Sequence, residues 1–200
     1  MVPEIIMVIK NEYGQVVDHN IVEAREWHLV AHYVKPHHQI LELGARYGSA
    51  SIACNKIVNE KSKQVSVEPD PTVWNALEEN KKSNDCEFNI IKGAISKNKL
   101  KIHNNEYATY TEEGDGDIPV YDLWDLQNMF DVKFNAVVAD CEGCLSELMN
   151  NYPELFTQIE LLIYEMDQPE VCDYDKLVNI LNSNGFKCVE SGFHNVYVKN

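Results

Sequence analysis

Residues 40–50 read Ile40-Leu41-Glu42-Leu43-Gly44-Ala45-Arg46-Tyr47-Gly48-Ser49-Ala50. The pattern is an apolar strand that carries an acid near its end and passes through a glycine turn into a helix. A second predicted strand, Val65–Val67, ends in Glu68-Pro69-Asp70. Such a pair of strand ends is typical of α/β domains that bind a nucleoside. Glycines let the backbone approach the ligand, and the second acid accepts the ribose hydroxyls.

Strands alternate with helices from residue 39 onward, which predicts a parallel sheet with right-handed crossovers and an α/β fold class. The predicted strands are 39–43, 64–67, 87–91, 134–139, 160–164, 186–190 and 195–199. The predicted helices are 48–59, 71–83, 122–129, 143–152 and 174–183. The last two strands read as a hairpin, so one strand is expected to be antiparallel.

The first 38 residues precede this alternation and are expected to form a small extension of the core. Glu4–Lys10 and Gln15–Asp18 read as a β-hairpin, and residues 20–34 read as a helix that ends before Pro36. The extension is expected to cover one sheet edge and to contribute to a lid or a homodimer contact. No repeat or linker divides the chain, so residues 1–200 are predicted to form one domain with its core at 39–200.

Residues 99–121 interrupt the alternation. Leu100–Ile102 and Tyr107–Tyr110 alternate like short strands, and Thr111–Asp117 reads as a polar, turn-forming loop. An irregular insertion of this length in an α/β domain is commonly functional. Asp115 and Asp117 on the loop are therefore expected either to touch the substrate or to be solvated.

The composition excludes several classes of partner. The chain has 32 acidic and 17 basic residues and a net charge of −15, so it repels nucleic acids and anionic membrane surfaces alike. No apolar run is long enough for a transmembrane helix, and residues 1–4 lack the basic start of a secretory signal. The six cysteines form no compact framework, so reduced thiols in a cytoplasmic protein are expected.

Polar residues and glycines follow the predicted strands at the edge where ligands bind in such sheets, beyond the carboxyl ends. The residues at these positions are Glu42, Gly44, Glu68, Asp70, Gly93, Ala94, Asp140–Gly143 and Glu165–Asp167. His194, in the last hairpin turn, reaches the same edge when the final strand is antiparallel. These residues are expected to share one site.

The glycine turn indicates the class of cofactor. A dinucleotide site usually has G-x-G-x-x-G, with a helix N-terminus that faces a pyrophosphate. This chain has Gly44-Ala45-Arg46-Tyr47-Gly48 instead, directly after Glu42 and Leu43. A carboxylate at that place disfavours a pyrophosphate and favours a cationic group, such as the amino and sulfonium region of S-adenosylmethionine.

Five motifs, in order from about residue 38 onward, resemble those of the FkbM-type S-adenosylmethionine-dependent methyltransferases. Glu42–Gly48 resembles the family's D-V-G-A-N-x-G, Glu68–Pro71 resembles E-P-x-P, Gly93–Ser96 resembles A-[ILV]-[SG], Ala139–Gly143 resembles I-D-V-E-G, and Leu162–Glu165 resembles an apolar strand that ends in Glu. Arg46 stands where the family usually has Asn, and Cys144-Leu145 replaces an Ala-Glu.

The resemblance implies the class I Rossmann-like fold, a mostly parallel seven-stranded sheet with an antiparallel last strand and helices on both faces. It implies O-methylation of a sugar or glycan hydroxyl, by a complete protein, a homodimer or one domain of a larger glycan-synthesis protein. The expected cofactor-binding residues are Glu42, Gly44, Ala45, Tyr47, Gly48, Glu68, Pro69, Asp70, Gly93, Ala94, Asp140 and Cys141.

Methyl transfer to a hydroxyl needs a group that removes the proton of the nucleophile. Asp140, at the end of the most apolar strand, is the first candidate, followed by Glu142 and Glu165, with His194 as an alternative base. Three carboxylates at one edge raise one another's pKa, or they hold a divalent cation, Mg²⁺ or Mn²⁺, that orients sugar hydroxyls. Asp140, Glu142 and Glu165 are the candidate metal ligands.

Other interpretations of these residues stay open at this point. Glu68 and Asp140 could instead cap the helices that follow them. Cys141-Glu142-Gly143-Cys144 is a C-x-x-C at a strand-to-helix junction, where redox dithiols occur. The alternative function is therefore a non-catalytic or redox Rossmann-like module that binds a nucleoside.

Overall fold

A computed structural model describes residues 6–18, 24–105 and 108–199. The strands in chain order are β1 (Ile9–Lys10), β2 (Val16–Val17), β3 (Ile40–Leu43), β4 (Val65–Glu68), β5 (Asn89–Lys92), β6 (Ala94–Ile95), β7 (Leu100–Asn105), β8 (Ala108–Glu113), β9 (Val120–Tyr121), β10 (Ala136–Ala139), β11 (Leu161–Glu165), β12 (Phe186–Glu190) and β13 (His194–Lys199). The helices are α1 (Ala24–Tyr33), α2 (Ser49–Ile57), α3 (Trp74–Ser83), α4 (Leu123–Met129), α5 (Leu145–Asn151), α6 (Leu155–Gln158) and α7 (Tyr174–Ser183), with a 3₁₀ helix at Lys61–Lys63.

The central sheet has seven strands in the order β12-β13-β11-β10-β3-β4-β5. Within this sheet, the ladders that join β5, β4, β3, β10 and β11 are all parallel. Strand β13 is antiparallel to both of its neighbours. This confirms the predicted mostly parallel sheet with an antiparallel last strand. The strand order reverses between β3 and β10, and the crevice beyond such a reversal is where α/β sheets bind ligands.

The central strands are buried on both faces because helices cover both sides of the sheet. Side chains alternate along each strand, so Leu41 and Leu43 face one core layer, formed with α4, α5, α6 and α7. Ile40 of the same strand and Val138 of β10 face the other layer, formed with α1, α2 and α3. The predicted placement of helices on both faces is therefore confirmed.

The N-terminal hairpin β1–β2 docks on α3 through two asparagine side chains. The Asn80 Oδ1 atom accepts from the Lys10 N–H at 2.9 Å, and its Nδ2 donates to the Lys10 carbonyl at 2.8 Å. Asn84 makes the same pair of bonds with Val8, at 3.1 and 2.9 Å. A hairpin and a helix lie where the sequence predicts them, but the strands are shorter than predicted, since residues 6–8 are not part of a strand. Residues 4–5 and 20–23 of these predictions lie outside the described residues.

Residues 100–113 form a longer hairpin than the sequence predicts. Strand β8 continues through Glu113, so the expectation of a loop from Thr111 onward is wrong for its first three residues. The cause is the cross-strand pairing of charges, since Glu112 lies against both Lys101 and His103. Tyr107 of the predicted strand lies outside the described residues.

Three further features of the described residues were not predicted: the short parallel ladder between β6 and β9, the single-turn helix α6 and the 3₁₀ helix at Lys61–Lys63. The predicted helix 71–83 begins at Trp74, because its first residues form a turn. None of the described helices is both long and apolar enough to cross a membrane.

Candidate functional site

A cleft opens beyond the carboxyl ends of β3, β4 and β10, with the β7–β8 hairpin along one side. Its cavity volume is about 60 Å³, smaller than the roughly 300–1,000 Å³ of a typical small-molecule site. The lining residues are Leu43, Gly44, Val67, Glu68, Pro69, Gly93, Ala94, Ile95, Leu100, Thr109, Thr111, Asp140, Cys141, Cys144, Glu147 and Leu148. The charged members, Glu68, Asp140 and Glu147, are all acidic, so the wall of the cleft favours a cationic or neutral ligand.

Gly44 makes the close approach that the cleft requires. Its φ is +84°, and a Cβ atom there would lie 1.7 Å from the carbonyl oxygen of Asp140. The N–H groups of Gly44 and Ala45 both donate to the carbonyl of Val67, at 3.0 and 3.1 Å. The turn after β3 is therefore held between the ends of β4 and β10, and only glycine fits at its first position.

Glu68 reaches the cleft from the end of β4. Its side chain is 4% exposed, and its carboxylate accepts the N–H groups of Arg46, at 2.6 Å, and Asp70, at 2.7 Å. Burial raises the pKa of Glu68 to about 7, although these two hydrogen bonds partly oppose that shift. Each carboxylate oxygen has two lone pairs, so the group can still accept ligand hydroxyls.

The Asp70 carboxylate accepts hydrogen bonds from its own turn and from the β7–β8 hairpin, and Asp70 does not line the cleft. Its Oδ1 accepts from the N–H and the hydroxyl of Thr72, at 2.8 and 2.7 Å, which caps the turn before α3. Its Oδ2 accepts from the Thr109 hydroxyl at 3.3 Å. Asp70 therefore connects the start of α3 to the hairpin that borders the cleft.

Glu42 does not line the cleft, contrary to the expectation that it meets the cationic part of the cofactor. It is 1% exposed, and its Oε2 accepts from the hydroxyls of Ser51 on α2 and Ser66 on β4. The reason is strand alternation: Leu43 faces the cleft, so the neighbouring Glu42 faces α2. Its carboxylate fixes α2 against the sheet.

Ala45, Tyr47 and Gly48 are also absent from the lining of the cleft. Tyr47 is buried and donates its hydroxyl hydrogen bond to Glu12 at 2.5 Å, and Gly48 precedes α2 with φ +89°. These residues shape the glycine turn and the start of α2. By contrast, Pro69, Gly93, Ala94, Asp140 and Cys141 lie where the prediction places them, on the cleft wall.

Asp140 is the first residue after β10 and the predicted base that faces the cleft. Its side chain is half-buried, and its backbone N–H donates to the Leu43 carbonyl at 3.0 Å, which extends the ladder by one residue. Cys141 and Cys144, which follow it, are joined by a disulfide. The expectation of reduced thiols is therefore wrong for this pair.

Glu142, Glu165 and His194, the other predicted acids and base, are absent from the lining of the cleft. Glu165 pairs with His194 at 3.2 Å across the β11–β13 ladder. Glu142 has φ +52°; its N–H donates to Asp167 at 2.7 Å, and its carboxylate accepts from Gln168 at 2.8 Å. Burial, followed by the nearby charges of Asp167 and Glu165, raises the pKa of Glu142.

The predicted metal site of Asp140, Glu142 and Glu165 is not formed. Asp140 faces the cleft, the left-handed backbone of Glu142 turns its carboxylate to Gln168, and Glu165 is paired with His194. Within the part of the chain that the structure describes, the one group of three convergent donor residues is His37, His38 and Glu160.

That group lies at the opposite end of the sheet, before β3 and β11. The Lys35 N–H donates to Nδ1 of His38 at 3.0 Å, so the neutral ring carries its proton on Nε2 and donates it to Glu160, at 3.0 Å. Burial, followed by the charge of His37, lowers the pKa of His38 to about 4. The protonated Nε2 cannot ligate a metal, so the group is a hydrogen-bond network.

Several lining residues were missed by the sequence reasoning. Glu147, on the first turn of α5, accepts from the Ser96 hydroxyl at 2.7 Å and from Asn151 at 2.5 Å. Thr109 and Thr111 reach the cleft from β8. The sequence carries a signal for the two threonines: side chains alternate between the faces of a strand, so Thr109 and Thr111 lie on the same face of β8.

No protein-family model matches the chain, and no curated protein sequence matches it. Solved structures do match. A precorrin-6y C5,15-methyltransferase from Geobacter metallireducens is 13% identical with a TM-score of 0.52, over 90% of this chain and 88% of that one. A protein of the NADB-Rossmann superfamily from Streptococcus agalactiae is 12% identical with a TM-score of 0.53, over 88% of this chain and 68% of that one.

A tRNA m1G37 methyltransferase from M. jannaschii is 15% identical with a TM-score of 0.50, over 88% of this chain but only 49% of that one. At such identities the likeness establishes the fold. The chain thus has the Rossmann-like fold of these methyltransferases, as the sequence predicted. None of these likenesses points to the FkbM type in particular.

Proposed function

We propose that this protein is an S-adenosylmethionine-dependent O-methyltransferase of the FkbM type that acts on a hydroxyl of a sugar or glycan. The observation that carries the proposal is the cleft wall, on which Gly44, Glu68 and Asp140 meet beyond the strand reversal. A cytoplasmic location and a neutral glycan partner belong to the same proposal.

The residues of the cleft fit the proposed cofactor. Glu68 offers a carboxylate to a ribose diol, and Gly44 leaves space for a ligand beside the backbone. Pro69, Gly93 and Ala94 offer an apolar surface to an adenine ring. Among the residues that the structure describes, no lysine or arginine lines the cleft, so none of them offers a pyrophosphate a cationic partner there.

The acidic side chains favour the same ligand. Asp140 and Glu147 face the cleft together with Glu68, and a sulfonium carries a positive charge that carboxylates stabilise. When bound, S-adenosylmethionine supplies an electrophilic methyl group. Asp140 would accept the proton of the acceptor hydroxyl.

The charge of the protein supports one class of acceptor. A net charge of −15 disfavours a nucleic acid, although several of the similar structures are described as RNA or tRNA methyltransferases. An uncharged hydroxyl compound meets no such repulsion. A sugar or glycan therefore fits the acidic cleft better than a phosphate-bearing acceptor does.

Calorimetric titration with S-adenosylmethionine and S-adenosylhomocysteine tests the proposal, with and without Mg²⁺ or Mn²⁺. We expect micromolar binding that does not depend on the cation, since the three carboxylates do not converge. Absence of binding by the protein would contradict the proposed cofactor. Binding without methyl transfer to any member of a sugar and glycan panel would favour the nucleoside-binding module instead.

A further inference from the structure

The disulfide between Cys141 and Cys144 lies in the wall of the cleft. Cys141 follows Asp140 at the end of β10, and Cys144 directly precedes α5. Both are part of the lining, and both are half-buried, so the bond is open to a small molecule in the cleft. The bond thus closes a four-residue loop between the predicted base and the next helix.

The backbone of this loop has an uncommon conformation. Glu142 has φ +52° and Gly143 has φ +86°, so two consecutive residues are left-handed. For a residue with a side chain, such as Glu142, this region is unfavourable unless the surroundings hold it. The disulfide spans these two residues and is one of the constraints that hold them.

The loop is also in direct contact with the glycine turn. A Cβ atom on Gly44 would lie 1.7 Å from the carbonyl oxygen of Asp140 and 3.2 Å from the Cα of Cys141. Any relaxation of the loop therefore moves the surface against which Gly44 packs. The ends of β3 and β10 are coupled through this contact.

We propose that Cys141 and Cys144 form a redox-active centre that exchanges electrons with a dithiol reductant, and that its redox state sets the affinity of the cleft for its nucleoside. The second half rests on the proposed function, because it needs a nucleoside in the cleft. The first half depends only on the two sulfurs and their access to solvent.

The reduction of the disulfide by the dithiol takes two steps. A thiolate of the dithiol attacks one sulfur of the pair, which forms a mixed disulfide and releases the other cysteine as a thiolate that takes up a proton. The second thiol of the reductant then loses its proton and attacks the mixed disulfide, which frees the second cysteine. Two electrons and two protons pass to the protein, and the reductant leaves as a disulfide.

Counting thiols in the folded protein tests the centre. Of the four unpaired cysteines, Cys54, Cys86 and Cys172 are buried and Cys188 is exposed. A maleimide should therefore label one cysteine in the oxidised protein. After dithiothreitol it should label three, namely Cys188 plus the two of the pair. In the control variant Cys188→Ser, the number of labelled cysteines should rise from none to two after dithiothreitol.

Two results would contradict the proposal that Cys141 and Cys144 form a redox-active centre. In one, dithiothreitol leaves the count at one until the protein is unfolded, which would make the bond purely structural. In the other, three thiols react at the outset and a disulfide oxidant does not lower that number. A circular dichroism spectrum taken with each count shows that the protein is folded.

The second half is tested with S-adenosylhomocysteine as the probe. We expect the reduced protein and the Cys141→Ser, Cys144→Ser double variant to bind it at least about fivefold more weakly than the oxidised protein. Equal affinities would overturn the coupling and leave the proposed function intact. Absence of binding in both states would contradict the proposed function and the coupling together, whereas the thiol count would still decide the redox centre.

Discussion

The carbonyl oxygen of Asp140 occupies the space where Gly44 would carry a Cβ atom, 1.7 Å from that position. The two residues follow adjacent strands of the central sheet, β3 and β10. The contact therefore joins the glycine turn to the loop that carries the proposed base. It explains why the turn after β3 needs glycine for space as well as for its positive φ.

Replacing Gly44 by alanine should destabilise the protein far more than the same change at Gly185. Both have nearly equal φ, +84° and +83°, but nothing lies within 4 Å of a Cβ at Gly185. Gly185→Ala should cost about 1–2 kcal/mol for the left-handed backbone alone. Gly44→Ala should cost about 3 kcal/mol more, from overpacking against the Asp140 carbonyl.

Urea unfolding of both variants measures the difference in the free energy of unfolding. Equal losses for the two variants would show that the backbone of Asp140 can move away at little cost. In that case the contact would not couple the two strand ends.

Replacing Glu68 by alanine should weaken the binding of S-adenosylhomocysteine by roughly 1.5–3 kcal/mol, because the ribose hydroxyls lose a charged acceptor. Calorimetry measures the change. Glu78→Ala is the matched control, since Glu78 is exposed and pairs with Lys92 at 2.5 Å on the surface. An unchanged affinity in Glu68→Ala would remove Glu68 from the binding site.

The same residue predicts how binding responds to pH. The pKa of Glu68 is raised to about 7, so the charged acceptor is formed only as the pH rises through that value. Affinity for S-adenosylhomocysteine should therefore increase between pH 6 and 8. The increase should be absent from Glu68→Ala.

Replacing Asp140 by asparagine should lower turnover by about 10²–10⁴-fold, the usual contribution of a general base. Binding of S-adenosylhomocysteine should change much less, because Glu68 and Gly44 remain. The assay is release of S-adenosylhomocysteine with an acceptor from the sugar panel. Asp125→Asn is the control, since Asp125 is exposed in the first turn of α4 and does not line the cleft. Full turnover by Asp140→Asn would show that another group takes the proton.

His38 should make the protein less stable in acid. Its pKa is about 4 in the folded state against an ordinary 6.5, so the unfolded chain takes up a proton between these values that the folded state does not. Its contribution is complete above pH 6.5 and is lost as the pH falls toward 4. The expected loss of this contribution between pH 7.5 and pH 5 is about 2 kcal/mol. Glu68 acts in the opposite direction over the same range, because its pKa is raised to about 7 and the folded state takes up a proton there that the unfolded chain does not.

Urea unfolding at the two pH values measures this loss. Relative to His38→Gln, the protein should lose about 2 kcal/mol of its free energy of unfolding between pH 7.5 and pH 5. Relative to His28→Gln, at an exposed position of α1, it should lose none. The same pH dependence in His38→Gln would assign the effect to other groups.

The seven strands of the sheet were predictable because each is a short apolar run with a local signal at its end. Ala136–Ala139 followed by Asp140 is an example, and so is Val65–Glu68 followed by Pro69. These signals depend on neighbouring residues alone. They also place the strand ends, and therefore the cleft, at the correct edge of the sheet.

The directions of individual side chains were harder to predict. Glu42 and Leu43 are consecutive in a strand and cannot both face the cleft, so alternation alone would have excluded one of them. The positive φ of Glu142 and the pairing of Glu165 with His194 depend on contacts between distant segments. The length of β8, which runs through Glu113, depends on its partner strand β7, in which Lys101 pairs with Glu112.

Strand β13 lies between β11 and β12, although it follows both in the chain. Strand β12 has no other neighbour in the sheet, so it joins the fold only when His194–Lys199 is in place. During synthesis, β11 therefore presents an open edge while α7 and β12 emerge from the ribosome. An open apolar edge is a template for pairing with other chains. The fold thus leaves the nascent protein exposed to aggregation until its last strand is made.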